Sequence, residues 1–207
     1  MKRFWIAVLA WFALELCVVN LVLGGQADII NQTVFINAID GIQKILFNGM
    51  AGFCILLYFM YFPFYQPEIQ VRSQKNTFRI LMKKGIYITG IYTFIMHLSP
   101  ILYGLARGYS IQLEKFFVLK KSCIFFLFFL ACYFVYVQLV MRFENPIVAI
   151  LVLEAVSLIG LFFYTMYMFF FDKEVVVNQT LLVFVLFMIN GLFIAGIRRR
   201  LLQKEYL

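Results

Sequence analysis

Residues 122–141 read SCIFFLFFLACYFVYVQLVM, residues 142–146 read RFENP, and residues 147–171 read IVAILVLEAVSLIGLFFYTMYMFFF. A helix crossing a bilayer needs about 20 mostly apolar residues. The first run meets that length and the third exceeds it. The five residues between them carry Arg142, Glu144 and Asn145, followed by Pro146. Proline suits the first turn of a helix, because its missing N–H has no intrahelical partner there anyway. The stretch reads as two membrane spans joined by a tight turn.

Working outward, the same reading gives six spans. The first covers about Phe4–Leu23, the second Ile45–Phe64, the third Gly85–Leu105, the fourth Ser122–Met141, the fifth Ile147–Phe171 and the sixth Thr180–Ile197. The apolar run after Met1-Lys2-Arg3 is too long for a signal-peptide core of about 7–15 residues, so it reads as an uncleaved span. Composition agrees. The 207 residues are 64% hydrophobic and 14% charged, against roughly 45–50% and about 25% in a soluble domain. The mean hydropathy is +0.93. Six spans use nearly the whole chain. The expected fold is therefore all-α, a single transmembrane domain over residues 1–207, with no nucleotide-binding domain of its own.

Lys and Arg set the orientation. With the N-terminus inside, Lys2, Arg3, Arg72, Lys75, Arg79, Lys83, Lys84, Arg142, Arg198, Arg199, Arg200 and Lys204 fall on the inner side. Lys44, Arg107, Lys115, Lys120, Lys121 and Lys173 fall outside. Twelve of the eighteen cations inside is the asymmetry expected of cytoplasmic loops, and it puts both termini in the cytoplasm. The net charge of +8 is thus explained by a membrane and calls for no nucleic acid. The basic segment Arg107–Lys121 fits less well. Its Ile111, Leu113, Phe116, Phe117 and Leu119 suit an interfacial position.

Between the second and third spans lies Pro67–Lys84, the most polar part of the chain. At 100° per residue, Arg72, Lys75, Arg79 and Lys83 share one face, and Val71, Phe78 and Leu81 occupy another. The expectation is an amphipathic helix lying on the cytoplasmic surface. It could bind anionic lipid headgroups or dock a soluble partner.

Few residues invite catalysis. The one histidine, His97, precedes Ser99-Pro100 in the third span, where Pro100 should kink the helix. No HExxH occurs. A His–Cys peptidase would pair His97 with a thiolate, and no local motif does so. Cys17, Cys54, Cys123 and Cys132 lie in apolar runs without metal-ligand spacing, which suggests buried apolar packing. Glu15 and Glu154 are the intramembrane carboxylates. A charge there is costly, so each needs a role or a hydrogen-bond partner, with Asn20, Gln138, His97 and Asn190 as candidates. Asn31-Gln32-Thr33 and Asn178-Gln179-Thr180 match a glycosylation sequon that nothing else in the chain supports.

The element order and one loop carry a resemblance. Gln70-Val71-Arg72-Ser73-Gln74-Lys75, then Phe78-Arg79-Ile80-Leu81-Met82-Lys83-Lys84 leading into the next span, resemble the coupling segment of type-2 ABC exporter permeases. The likeness is to the small bacterial peptide and bacteriocin export or immunity group. It implies a permease subunit without enzymatic activity, paired with a second permease subunit as a homo- or heterodimer. It also implies a cytoplasmic ATPase subunit that holds the ATP and Mg, with Arg72, Lys75, Arg79 and Lys83 coupling the two. An amphipathic or hydrophobic cargo, first of all a peptide, and a bacterial inner membrane location follow. The chain departs from the pattern twice. Only Met1–Arg3 precede the first span, and Asp172–Gln179 is too short for a re-entrant hairpin before the sixth. A non-transporting membrane subunit for assembly, immunity or regulation is the alternative.

Overall fold

The computed structural model describes residues 5, 6, 8–13, 17, 50–59, 74–106, 119–171 and 179–203. Within them the chain is all helix apart from one turn. The elements are α1 (Met50–Phe59), α2 (Gln74–Ala106), α3 (Leu119–Phe143), α4 (Pro146–Phe171) and α5 (Gln179–Gln203). Residues 8–13 are helical as well. Ser122–Phe143 and Thr180–Leu202 are long and apolar enough to cross a membrane, and Pro146–Gly160 is a shorter apolar helical piece.

The α3–α4 hairpin is built as the RFENP turn suggests. Glu144 takes a φ of 57°, the left-handed conformation that ends many helices. Its N–H donates to the Val140 carbonyl at 2.9 Å. Asn145 then caps α4, accepting the Ile147 N–H at 2.9 Å on its side-chain oxygen.

One expectation is corrected here. Residues 74–84 do not form a separate surface helix. They are the first turns of α2, which runs unbroken from Gln74 through Pro100 to Ala106. The reason lies in the buried stripe Leu81, Gly85, Ile88, Tyr92 and Ile95, spaced four, three, four, three. That spacing holds one face of a helix against a partner, and it crosses the Lys83-Lys84 boundary without a step. Residues 60–73 lie outside the described residues.

Contacts give the directions. Leu81 and Gly85 of α2 meet Tyr133 of α3, Tyr92 meets Phe129, and His97 meets Phe125. Numbers rise along α2 as they fall along α3, so the two are antiparallel. Leu127 of α3 meets Asn190 of α5, and Gln138 meets Phe193 and Arg200. These numbers rise together, so α3 and α5 are parallel. That is the relation expected of the fourth and sixth spans.

Two features hold the bundle. The first is an aromatic core. Tyr92 sits edge-on to Phe129 with centroids 4.7 Å apart, and Phe53 of α1 lies 5.3 Å from Tyr92 and 5.1 Å from Phe129. Trp11 joins this core and covers Gly52, where any side chain would collide with its indole. The second is a set of side-chain bonds to backbone across helices. Tyr133 Oη donates to the Leu81 carbonyl, Asn190 Nδ2 to Leu127, Gln138 Nε2 to Phe193, and Arg200 to Gln138, at 3.0, 2.9, 3.3 and 3.2 Å. Such bonds reach only carbonyls that no large side chain shields.

Candidate functional site

The directions above put the N-terminal turns of α2 beside the C-terminal turns of α3 and α5. Because Tyr133 faces Leu81 and Gln138 faces Arg200, several cations fall at nearly one depth. Arg79 and Lys83 of α2, Arg142 of α3, and Arg198, Arg199 and Arg200 of α5 lie within the last turns of α3, a band of about 15 Å at a rise of 1.5 Å per residue. All six are exposed. Among the described residues none of the six is ion-paired, and Glu144 is the acidic residue at this end. The hairpin turn and the start of α4 lie there too.

This band is the main concentration of charge among the described residues, and only part of it was visible as a site in the sequence. Arg79 and Lys83 stand on the exposed side of α2, as their helical spacing requires. Lys75 lies in the first turn of the same helix, and Arg72 lies outside the described residues. Arg142 and Arg198–Arg200 entered the sequence reading only as orientation signals. Their convergence with Arg79 and Lys83 depends on which helices pair, and no local motif encodes that.

The intramembrane candidates are separate from the band and from one another. His97 lies on α2, half-buried, with its ring edge-on to Phe125 at 5.5 Å. Glu154 lies on α4, half-buried, with the Cys54 thiol of α1 beside its carboxylate. Its Oε2 is buried and makes no hydrogen bond. Gln138 and Asn190, expected as possible partners for a buried carboxylate, donate to main-chain carbonyls instead. Glu15 and Asn20 lie outside the described residues.

The cysteines are all free. Cys54 is buried, Cys123 and Cys132 are half-buried, and Cys17 is exposed, unlike the uniform burial expected. The Cys132 thiol lies 3.8 Å from the Met50 sulfur, a soft contact between α3 and α1. Among the described residues no three His, Cys, Asp or Glu side chains come together as a metal-ligand set.

Compared with known protein families, with characterised proteins and with solved structures, the chain matches none of them.

Proposed function

We propose that the chain is a multi-pass membrane subunit of an ATP-driven exporter, and that its soluble ATPase docks on the basic end of the bundle. Burial supports the membrane part. A core helix of a soluble protein is mostly buried, yet the apolar window of α5 is only 17% buried. Phe184, Phe187 and Leu192 face outward while Asn190 on the same helix is inside. Thr89, Thr93 and Ser157 are likewise buried among exposed leucines, isoleucines and phenylalanines. Lipid solvates such a surface and water does not. Glycine contacts and side-chain bonds to backbone are also how helices associate when the hydrophobic effect cannot drive them.

The basic band sets the orientation by the positive-inside rule, so this end is cytoplasmic. The six-span count, with both termini inside, is part of the same proposal. The single observation carrying the docking role is the band itself: six exposed cations contributed by three helices, without acidic partners among the described residues. A soluble partner with an acidic face would bind there with steered, salt-sensitive association. Because residues 74–84 stand upright against α3, force applied at Arg79 and Lys83 reaches α3 through Leu81 and Tyr133, and α5 through Asn190 and Gln138. Transport would then require ATP to favour one arrangement of this bundle over another. The cargo in this reading is amphipathic or apolar, as befits a bundle lined with aromatic residues, and a peptide is the first choice.

The test is a pull-down from membranes of cells expressing the wild type and an Arg72→Glu/Arg79→Glu variant at equal level. The wild type should recover an ATPase and the variant should lose it or hydrolyse ATP without transport. Equal recovery with equal transport overturns the docking role. A wild type that recovers no ATPase overturns the exporter reading and favours a non-transporting membrane subunit.

A further inference from the structure

The seam between α3 and α5 ends in two arginines. Gln138 and Arg142 are four residues apart and lie on nearly the same strip of α3. Gln138 faces α5, since its side chain donates to the Phe193 carbonyl and its own carbonyl accepts Arg200. That carbonyl is also the helical acceptor for the N–H of Arg142. The Arg200 guanidinium is therefore fixed one turn from Arg142, at the mouth of the seam. Arg142 is held more loosely, with its guanidinium 5.7 Å from the ring of its neighbour Phe143. Both arginines are exposed. Two like charges on one seam repel unless an anion lies between them.

The surface leading to them is apolar. Val185, Ile189, Leu192, Gly196 and Arg200 are spaced four, three, four and four, which puts them on one strip of α5. Val185 and Leu192 are exposed, and Ile189 and Gly196 partly so. Gly196 faces Gln138, whose Nε2 would lie 3.2 Å from an added Cβ, so α3 and α5 approach closely just short of the arginines. A cationic mouth above an apolar strip matches a ligand with an anionic head and an acyl tail.

We infer that this seam binds an anionic phospholipid of the surrounding membrane, with its phosphate between Arg142 and Arg200 and one chain along Leu192, Ile189 and Val185. Arginine suits the head, because its fork of donors binds phosphate oxygens in pairs. Arg199 stands about 100° round α5 from Arg200, on the edge of the strip away from Gln138 and the seam. The inference rests on the membrane reading above and is independent of the exporter reading.

The experiment uses the full chain purified in detergent, with thermal unfolding followed as phosphatidylglycerol is added. Phosphatidylcholine and soluble glycerol phosphate serve as comparison ligands. Phosphatidylglycerol should raise the Tm of the wild type and of Arg79→Gln, an exposed cation on another helix, at the same lipid concentration. Arg142→Gln and Arg200→Gln should each need about fivefold more lipid for the same rise, following the usual contribution of one cation at a membrane surface. Among the described residues Arg142 makes no bond between helices, so Arg142→Gln should fold even where Arg200→Gln does not. The inference is overturned by any of three results. One is an Arg79→Gln loss equal to that of Arg142→Gln, which means diffuse surface attraction. Another is an equal response to phosphatidylcholine. The third is an equal response to glycerol phosphate, which means a free-phosphate site. A chain recovered as a soluble protein sinks the membrane reading as well, and that outcome is read separately by extraction of the membranes at alkaline pH.

Discussion

Tyr133 packs directly against Gly85. Its hydroxyl donates to the Leu81 carbonyl at 3.0 Å, one helical turn before that glycine. A Cβ at Gly85 would stand 2.5 Å from the Tyr133 ring. The missing side chain is what lets a fully buried tyrosine reach the backbone of α2. This contact ties the basic turn carrying Arg79 and Lys83 to the core of the bundle.

Gly85→Ala should therefore destabilise the protein, although alanine is the better helix former by about 1 kcal/mol. Overpacking of a close contact costs about 1–3 kcal/mol. Tyr133→Phe removes only the hydroxyl bond, worth about 0.5–1.5 kcal/mol, because the Leu81 carbonyl keeps its helical partner. Thermal unfolding in detergent should place both Tyr133→Phe and Gly85→Ala below the wild type. A Gly85→Ala protein as stable as the wild type would show that the ring does not pack there.

Glu154 and Cys54 should behave as a coupled pair. The thiol lies beside the carboxylate, so removing either partner changes the surroundings of the other. Glu154→Gln keeps an acceptor and a similar shape. It should fold and retain most stability, whereas Glu154→Leu combined with Cys54→Ala should cost less than the sum of the two single changes. The shortfall expected for a contacting pair is at least about 0.5 kcal/mol. A cycle that closes additively would mean that the two side chains do not interact. Loss of function in a well-folded Glu154→Gln protein would assign the carboxylate a role that needs its charge.

Glu144 sits at a φ of 57°, where glycine is at ease and other residues are strained. Glu144→Gly should leave the α3–α4 hairpin intact and alter stability by no more than about 1 kcal/mol, with the sign favouring glycine. Glu144→Val, β-branched, should destabilise by more. If valine is tolerated as well as glycine, the turn is not left-handed at this position.

Orientation is checked by cysteine labelling in intact cells, in a background with the four native cysteines replaced. Impermeant reagent should reach a cysteine placed in Asp172–Gln179. It should not reach one placed at Arg79 or Arg199 until the membrane is opened. Labelling of Arg79→Cys from outside would invert the bundle and put the basic band on the wrong side for any cytoplasmic partner.

How much of this could be read from the chain alone differs by level. The runs at 122–141 and 147–171 decide helix formation and place their ends to within about three residues, because few other structures accommodate so long an apolar run, whereas the helix over 180–197 continues past its apolar run through Arg198–Arg200 to Gln203. RFENP likewise decides the hairpin, since Asn145 and Pro146 are start signals that act within one turn. The shared face of Arg79 and Lys83 is also local, a consequence of 3.6 residues per turn.

Which helices meet is not local. The continuity of α2 through Lys84, the parallel pairing of α3 with α5, and the meeting of Gln138 with Arg200 all depend on contacts between residues some fifty or more positions apart. Periodicity says which side chains share a face. It does not say that the face bearing Gln138 turns toward α5, or that Asn190 and Gln138 bond to carbonyls and so leave Glu154 to Cys54. Those choices follow from shape. Gly52, Gly85 and Gly196 are where large or polar side chains come close to a neighbouring backbone, and a one-dimensional pattern cannot tell a glycine that admits a neighbour from one that faces open space, as Gly90, Gly160 and Gly191 do.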